Sequence, residues 1–199
     1  MTTKPILRRK SAFTPTTARI FPLFCVMHDF NPSEIAVKNG NIFGFPYNQE
    51  EAEIHIIPVA WEATASFGRG CAASYEAIRQ ASLQLDFYDD KGAFWKVPVF
   101  MQEAIGQMLN DQISNKAAEL IQFLEEGRKI TERQAEFDTV NNYSQELNAL
   151  VKKTCLASLE TGKKVLLIGG DHSIPLGYLQ ALNTTKSFGI LHFDAHADL

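Results

Sequence analysis

Two apolar runs near the end of the chain, Val165-Leu166-Leu167-Ile168 and Phe188-Gly189-Ile190-Leu191, are separated by a helix-length segment, and each opens into a polar cluster. Continuous apolar runs of this length predict neighbouring strands of a parallel sheet, buried on both faces. An earlier run, residues 54–60, predicts another strand, followed by a Gly-containing loop and a helix beginning near Ser74. Ser74 reads as its N-cap, and Ile78, Ala81 and Leu85 recur at helical spacing. Residues 103–162 read as helical. Ala117, Leu120, Ile121 and Leu124 follow the i, i+3, i+4, i+7 rule up to Gly127, and Val140, Tyr143, Leu147, Leu150 and Val151 repeat it up to Gly162. The charged residues of these helices read as solvated faces. Ser173 and Pro175 then open a short helix to about Leu182, which returns the chain to the last strand in a right-handed crossover. The order predicts an α/β fold, a parallel sheet with helices on both faces.

The first 50 residues depart from this pattern. They are rich in Thr, Pro and Asn, carry turn signals at Asn31-Pro32 and Asn39-Gly40, and read as an arm that packs on the domain or on a neighbouring subunit. Residues 51–199 form the α/β unit. A hydrophobic content of 45% and a charged content of 21% place the chain among folded globular proteins. The net charge of −4 supplies no basic field for nucleic acid or an anionic membrane. No apolar run reaches the length of a transmembrane helix. Cys25, Cys71 and Cys155 are odd in number and widely spaced, as expected of reduced thiols in a cytoplasmic protein. A secretory signal is not expected, whereas a transit peptide stays open because residues 1–19 contain no acid.

The chemistry gathers where the two late runs end. Gly169-Gly170-Asp171-His172-Ser173 follows the first and Asp194-Ala195-His196-Ala197-Asp198 follows the second. In parallel sheets ligands collect beyond the carboxyl ends of the strands. If residues 194–198 are extended, Asp194, His196 and Asp198 point to one side, with alanines between them. Imidazole and carboxylate donors suit first-row divalent ions, and a carboxylate-rich set suits manganese, with nickel the alternative. A bridging aspartate can seed a two-metal site that activates water. His192, two residues before Asp194, could share that side, although a packed strand histidine is the favoured reading. The loop Ser66-Phe67-Gly68-Arg69-Gly70 lacks both phosphate-loop patterns. Arg69 reads as a structural salt bridge ahead of a contact to a substrate carboxylate or a partner subunit.

These motifs resemble the ureohydrolase family of arginases, agmatinases and formiminoglutamases. Residues 54–59, the Trp61-to-Gly70 loop and the Tyr75-to-Ser82 helix resemble its agmatinase-like members in particular. The resemblance implies a three-layer α/β/α arginase-like fold. It also implies that His172, Asp194 and Asp198 hold one manganese ion, and that Asp194 bridges to a second ion held with His196. Asp171 is then a supporting residue beside a ligand. Water activated between the ions would attack a guanidinium carbon and release urea, or formamide from an imino substrate. The resemblance further implies two aspartates in a later Asp-x-Asp motif that these 199 residues do not contain. The expectation is therefore a domain whose C-terminal part is missing, with weak metal binding and little hydrolysis by itself. The family is commonly trimeric or hexameric, so a homo-oligomer is expected of the complete enzyme. An agmatinase-like guanidino hydrolase is the first choice. Guanidine or guanidino-acid hydrolase, arginase and formiminoglutamase stay open, as does a non-catalytic truncated subunit. A single-zinc deacetylase of the same broad fold is disfavoured by Asp198 and the His172 motif.

Overall fold

The computed structural model describes residues 30–65, 68–87 and 94–195. Three parallel strands, β1 (Ile54–Pro58), β2 (Val99–Met101) and β3 (Lys164–Ile168), form a sheet in the order β2-β1-β3. The helices are α1 (Ser74–Ser82), α2 (Gln107–Glu125), α3 (Gln134–Glu160) and α4 (Pro175–Thr185). β1 is central and alternates its faces. Ile57 and Val59 join Trp61, Ile113, Ala117, Leu147, Val151, Cys155 and Ala181 in one core against α2, α3 and α4. Ile56 points the other way, into a cluster with Ile42 and Met101 beside α1. The α/β/α layering expected from the sequence is therefore present.

Several expectations need correction. β2 lies just before the region read as helical, in a stretch with no strand expected. It has only three residues, too few for a period to show, and its open edge is met by a side chain. The Asn41 amide accepts from Met101 N at 2.9 Å and donates to Val99 O at 3.0 Å, so the arm completes the pairing of an edge strand. The same amide donates to Phe45 O and Tyr47 O, which ties residues 41–47 to the sheet.

Helix α1 begins where expected but docks through a different face. Ile78 and Leu85 are 44% and 48% exposed, while Ser82 is buried. Ser82 Oγ accepts from Phe43 N at 2.8 Å, and Arg79 donates to Gly40 O, so hydrogen bonds to the arm orient the helix. Ser74 is not the N-cap; its hydroxyl donates to Cys71 O at 2.7 Å, and Ala73 occupies the cap position.

The run Phe188-Gly189-Ile190-Leu191 is not a strand, and Ile190 and Leu191 are 67% and 79% exposed. Leu166 of β3 is also half exposed, at 51%. An apolar parallel strand is stable when both faces are covered, and no described element covers this side of β3. The helices at residues 103–162 are as expected, with Leu120, Leu147 and Val151 buried, and they are linked by ion pairs from Arg133 to Glu119 and from Lys116 to Glu136. None of the described helices is long and apolar enough to cross a membrane.

His55 on β1 is 2% exposed, and no motif in the sequence singles it out. Its Nε2 stands 2.8 Å from the Gln49 carbonyl, which only accepts, so Nε2 carries the proton. Nδ1 then accepts from Ser158 Oγ (2.9 Å) or the Gln102 amide (3.1 Å). Burial lowers the pKa of His55 below its ordinary value, and the Lys163 charge adds to this against the Gln49 hydrogen bond. A folded pKa below the unfolded one means the unfolded chain binds more protons as pH falls, so folding weakens toward acid. Stability should therefore decline as pH drops below about 6.5, and His55→Gln should flatten that decline. Urea denaturation at a series of pH values measures both slopes.

Candidate metal centre

The two polar clusters meet at the carboxyl end of β3. Gly169 and Gly170 turn the chain out of the strand, and α4 begins at Pro175, a residue suited to the first helical turn because it lacks an N–H. Asp171 fixes the loop between them. Its backbone N–H donates to Trp61 O at 2.9 Å, and its carboxylate accepts from Thr64 N (2.8 Å), Ser173 N (3.0 Å) and Ser173 Oγ (2.6 Å). The carboxylate thus binds the loop after β1 to the loop after β3, while the next residue, His172, reaches toward Asp194.

His172, His192 and Asp194 converge. His172 Nδ1 and His192 Nε2 each stand 3.6 Å from Asp194 Oδ2, and the two rings lie 5.3 Å apart with a tilt of 31°. One ligand atom from each residue falls within 4.8 Å of the others. The Asp194 side chain is 24% exposed although the residue as a whole is open, so its carboxylate is turned partly inward between imidazoles that are 54% and 42% exposed. The expectation of a packed strand histidine at His192 is corrected here: residues 188–194 are not a strand, and the ring sits in the open beside Asp194. His196 and Asp198, the other two expected ligands, lie outside the described residues. Two imidazoles and a carboxylate, reachable from solvent, fit a first-row divalent ion.

Arg69 is engaged away from this cluster. It donates to Glu62 (3.2 Å), Asn115 Oδ1 (2.7 Å) and Ser114 Oγ (2.8 Å), which ties its loop to α2. Glu62, which no sequence motif singles out, organises the loop after β1. Its carboxylate accepts from Gly70 N at 2.6 Å and from Ala72 N at 3.3 Å. Burial pushes its pKa up, but these N–H donors and the Arg69 guanidinium outweigh burial and hold it below the usual 4.5. A lowered folded pKa gives stability that is present above the unfolded value and lost as pH falls through the folded one. Glu62→Gln is therefore expected to cost about 1.5–3 kcal/mol near neutrality. That difference should shrink in acid below the carboxylate range, which denaturation at neutral and acid pH measures.

Burial pushes the Cys155 thiol up to about 12. Cys71 is raised by burial and by the carboxylates of Glu62 and Asp171. Both are protonated at neutral pH, in keeping with thiols that are not nucleophiles. Cys25 lies outside the described residues.

The chain has relatives among known proteins. The chain is similar to N(1)-aminopropylagmatine ureohydrolase of Thermus thermophilus, 30% identical over 156 residues, which is 77% of this chain and 42% of that protein. The Synechocystis protein of the same name is 27% identical over 154 residues, 75% of this chain and 41% of its own. A Staphylococcus aureus arginase is 36% identical over a shorter stretch of 64 residues, 32% of this chain and 20% of the arginase. The chain thus spans about 42% of the length of the first of these relatives. No solved structure matches it significantly. The sequence pattern of the arginase family matches residues 52–199, from β1 through both polar clusters, and the chain belongs to that family.

Proposed function

We propose that this chain contributes His172, Asp194, His196 and Asp198 to a dinuclear metal centre that hydrolyses a guanidino C–N bond and releases urea. The observation that carries this reading is the approach of His172 Nδ1 and His192 Nε2 to the Asp194 carboxylate at the carboxyl end of β3. Asp194 is the bridging carboxylate of the proposal, and manganese is the preferred metal, with nickel as the alternative. When bound, two such ions supply Lewis acidity and lower the pKa of water toward neutrality. The protein's own part is to hold ligands in place. Asp171 locks the His172 loop against the loop after β1. Glu62 and Arg69 set the shape of that second loop through charge-assisted hydrogen bonds.

An agmatinase-like activity on a linear guanidino amine is the substrate class we favour. The support is the Trp61-to-Gly70 loop together with the similarity to the aminopropylagmatine ureohydrolases of Thermus thermophilus and Synechocystis. Membership of the arginase family supports a homo-oligomer, and we place the protein in the cytoplasm because the free thiols of Cys71 and Cys155 suit a reducing compartment. Four side-chain ligands leave most positions of two six-coordinate ions to other donors. These 199 residues alone should therefore hold metal weakly and hydrolyse little.

The test is urea release from protein expressed to the end of its reading frame, loaded with manganese or separately with nickel. The substrates are agmatine, aminopropylagmatine, arginine, guanidinobutyrate and guanidine. Release from the amines is expected to exceed release from the amino acid. Formamide from a formimino substrate, with no urea from any guanidino compound, would move the assignment to the imino branch.

A further inference from the structure

The loop after β1 and the first turns of α2 border a cleft of about 330 Å³, which no residue of the His172 cluster lines. Asn110 lines it although that residue is only 5% exposed. Its amide has one orientation. Glu62 N can only donate, so the atom that accepts from it at 2.8 Å is Oδ1, and the donor Nδ2 is left over. No described group accepts from Nδ2, yet it is not among the sealed polar atoms, so the cleft is its outlet. A donor in such a place calls for an acceptor. Charged groups flank it. The Arg69 side chain, 45% exposed, uses one N–H each on Glu62, Asn115 and Ser114, which leaves two of its five. α2 opens at Gln107 with no acidic residue in its first turn and no side-chain cap, which adds partial positive charge. Asp111 accepts from Gln107 at 2.6 Å, and no other described group donates to its carboxylate.

The signs decide what fits. Glu62 also lines the cleft, but Gly70 N, Ala72 N and Arg69 already hold its carboxylate. Two carboxylates and one guanidinium give the lining a net negative charge, which disfavours a simple anion. A simple amine would leave Asn110 Nδ2 and the spare Arg69 N–H groups without an acceptor. A molecule that carries both charges answers both needs. We propose that this cleft binds a free α-amino acid as its zwitterion. The carboxylate accepts from Asn110 Nδ2 and from Arg69, and the ammonium donates to Asp111. A volume of about 330 Å³ lies at the small end of ligand clefts and suits a molecule of that size. The loop that forms one wall also holds Asp171 through Thr64 N, so the bound amino acid is placed as an effector and not as a substrate. The proposal does not rest on the metal centre.

The test is isothermal titration calorimetry of the metal-free full chain at pH 7 with glycine, and separately with acetate and with methylammonium. Saturable glycine binding is expected, with acetate and methylammonium each at least about tenfold weaker. Asn110→Asp keeps the acceptor for Glu62 N but replaces the donor with an anionic oxygen. It should weaken glycine binding by about tenfold or more. Asp111→Asn, at an exposed position, should weaken glycine to a similar extent and narrow its advantage over acetate. A circular dichroism melt verifies that each variant is folded, and Asp111→Asn carries the test if Asn110→Asp is not. The proposal is overturned by no glycine uptake in the folded protein, by acetate binding as tightly as glycine, or by an unchanged glycine affinity in Asp111→Asn. Because no metal takes part in these titrations, such a failure leaves the proposed function standing.

Discussion

Asp194→Asn is expected to reduce urea release by about 10³-fold or more and to empty at least one metal position. Several kilocalories per mole of transition-state stabilisation come from a metal acting as a Lewis acid, and about 1.4 kcal/mol is a factor of ten in rate. Asp194 is the residue on which both imidazoles converge at 3.6 Å, and the proposal gives it to both ions. An amide keeps the shape but loses the negative charge that offsets two cations. The loss should appear in kcat and in metal content together, measured by steady-state kinetics and elemental analysis of dialysed protein. Its side chain is 24% exposed and makes no contribution to the described apolar clusters, so the melting temperature should move little. A variant that is unfolded would show a different role for Asp194.

Gly170→Val is expected to produce the largest loss of stability, about 3–5 kcal/mol. Gly170 has φ +72°, a conformation that a β-branched residue tolerates poorly. Space is also lacking. A Cβ at this position would lie 2.8 Å from Ile174 Cγ2, 2.9 Å from Val59 O and 3.0 Å from Trp61 O. Two of those three atoms are backbone oxygens of the segment leading out of β1, so relief requires moving the strand end itself. The same movement would pull Asp171 from Trp61 O and displace His172, so metal affinity should fall along with stability. Gly162 provides the comparison, with φ +79° and nothing within 4 Å of an added Cβ. Gly162→Ala should cost only the backbone strain, about 1–2 kcal/mol. Equilibrium denaturation of the two variants separates strain from overlap.

The fold is most legible in the sequence where one physical demand dominates. β1 and β3 are apolar runs because strands of a parallel sheet pack on helices, and the runs alone are enough to place both. Long α2 and α3 show a helical period because each buries one stripe, as Leu120, Leu147 and Val151 do. Short or borrowed features leave no such trace. β2 has no room for a period, and its edge is satisfied by Asn41 from 58 residues earlier in the sequence, a contact that no local pattern announces. The face of α1 escapes the sequence for a related reason. The hydrogen bond that Arg79 donates to Gly40 O and the one that Ser82 Oγ accepts from Phe43 N set its rotation, and the apolar stripe of Ile78, Ala81 and Leu85 is turned outward.

The candidate site follows the same division. His172 and Asp194 are legible because each sits in a motif that closes an apolar run, and the structure brings them together. Glu62 lies in the Trp61-to-Gly70 loop, but its role is not legible there; it comes from the N–H groups of Gly70 and Ala72 folding back on it. The surroundings of His192 are legible only through the strand that the apolar run predicts. The run from Phe188 to Leu191 is apolar, but the structure leaves Ile190 and Leu191 exposed, and the histidine that follows is beside Asp194 instead of inside a core.

Two metal ions acting together in hydrolysis of a guanidino compound are the central claim. The most direct measurement is urea release by metal-free protein, expressed to the end of its reading frame, as manganese is added in known equivalents per chain. The expected result is no release without metal and a rise that levels off at two equivalents. Full release from metal-free protein, or a plateau at one equivalent with no second ion bound, would contradict it.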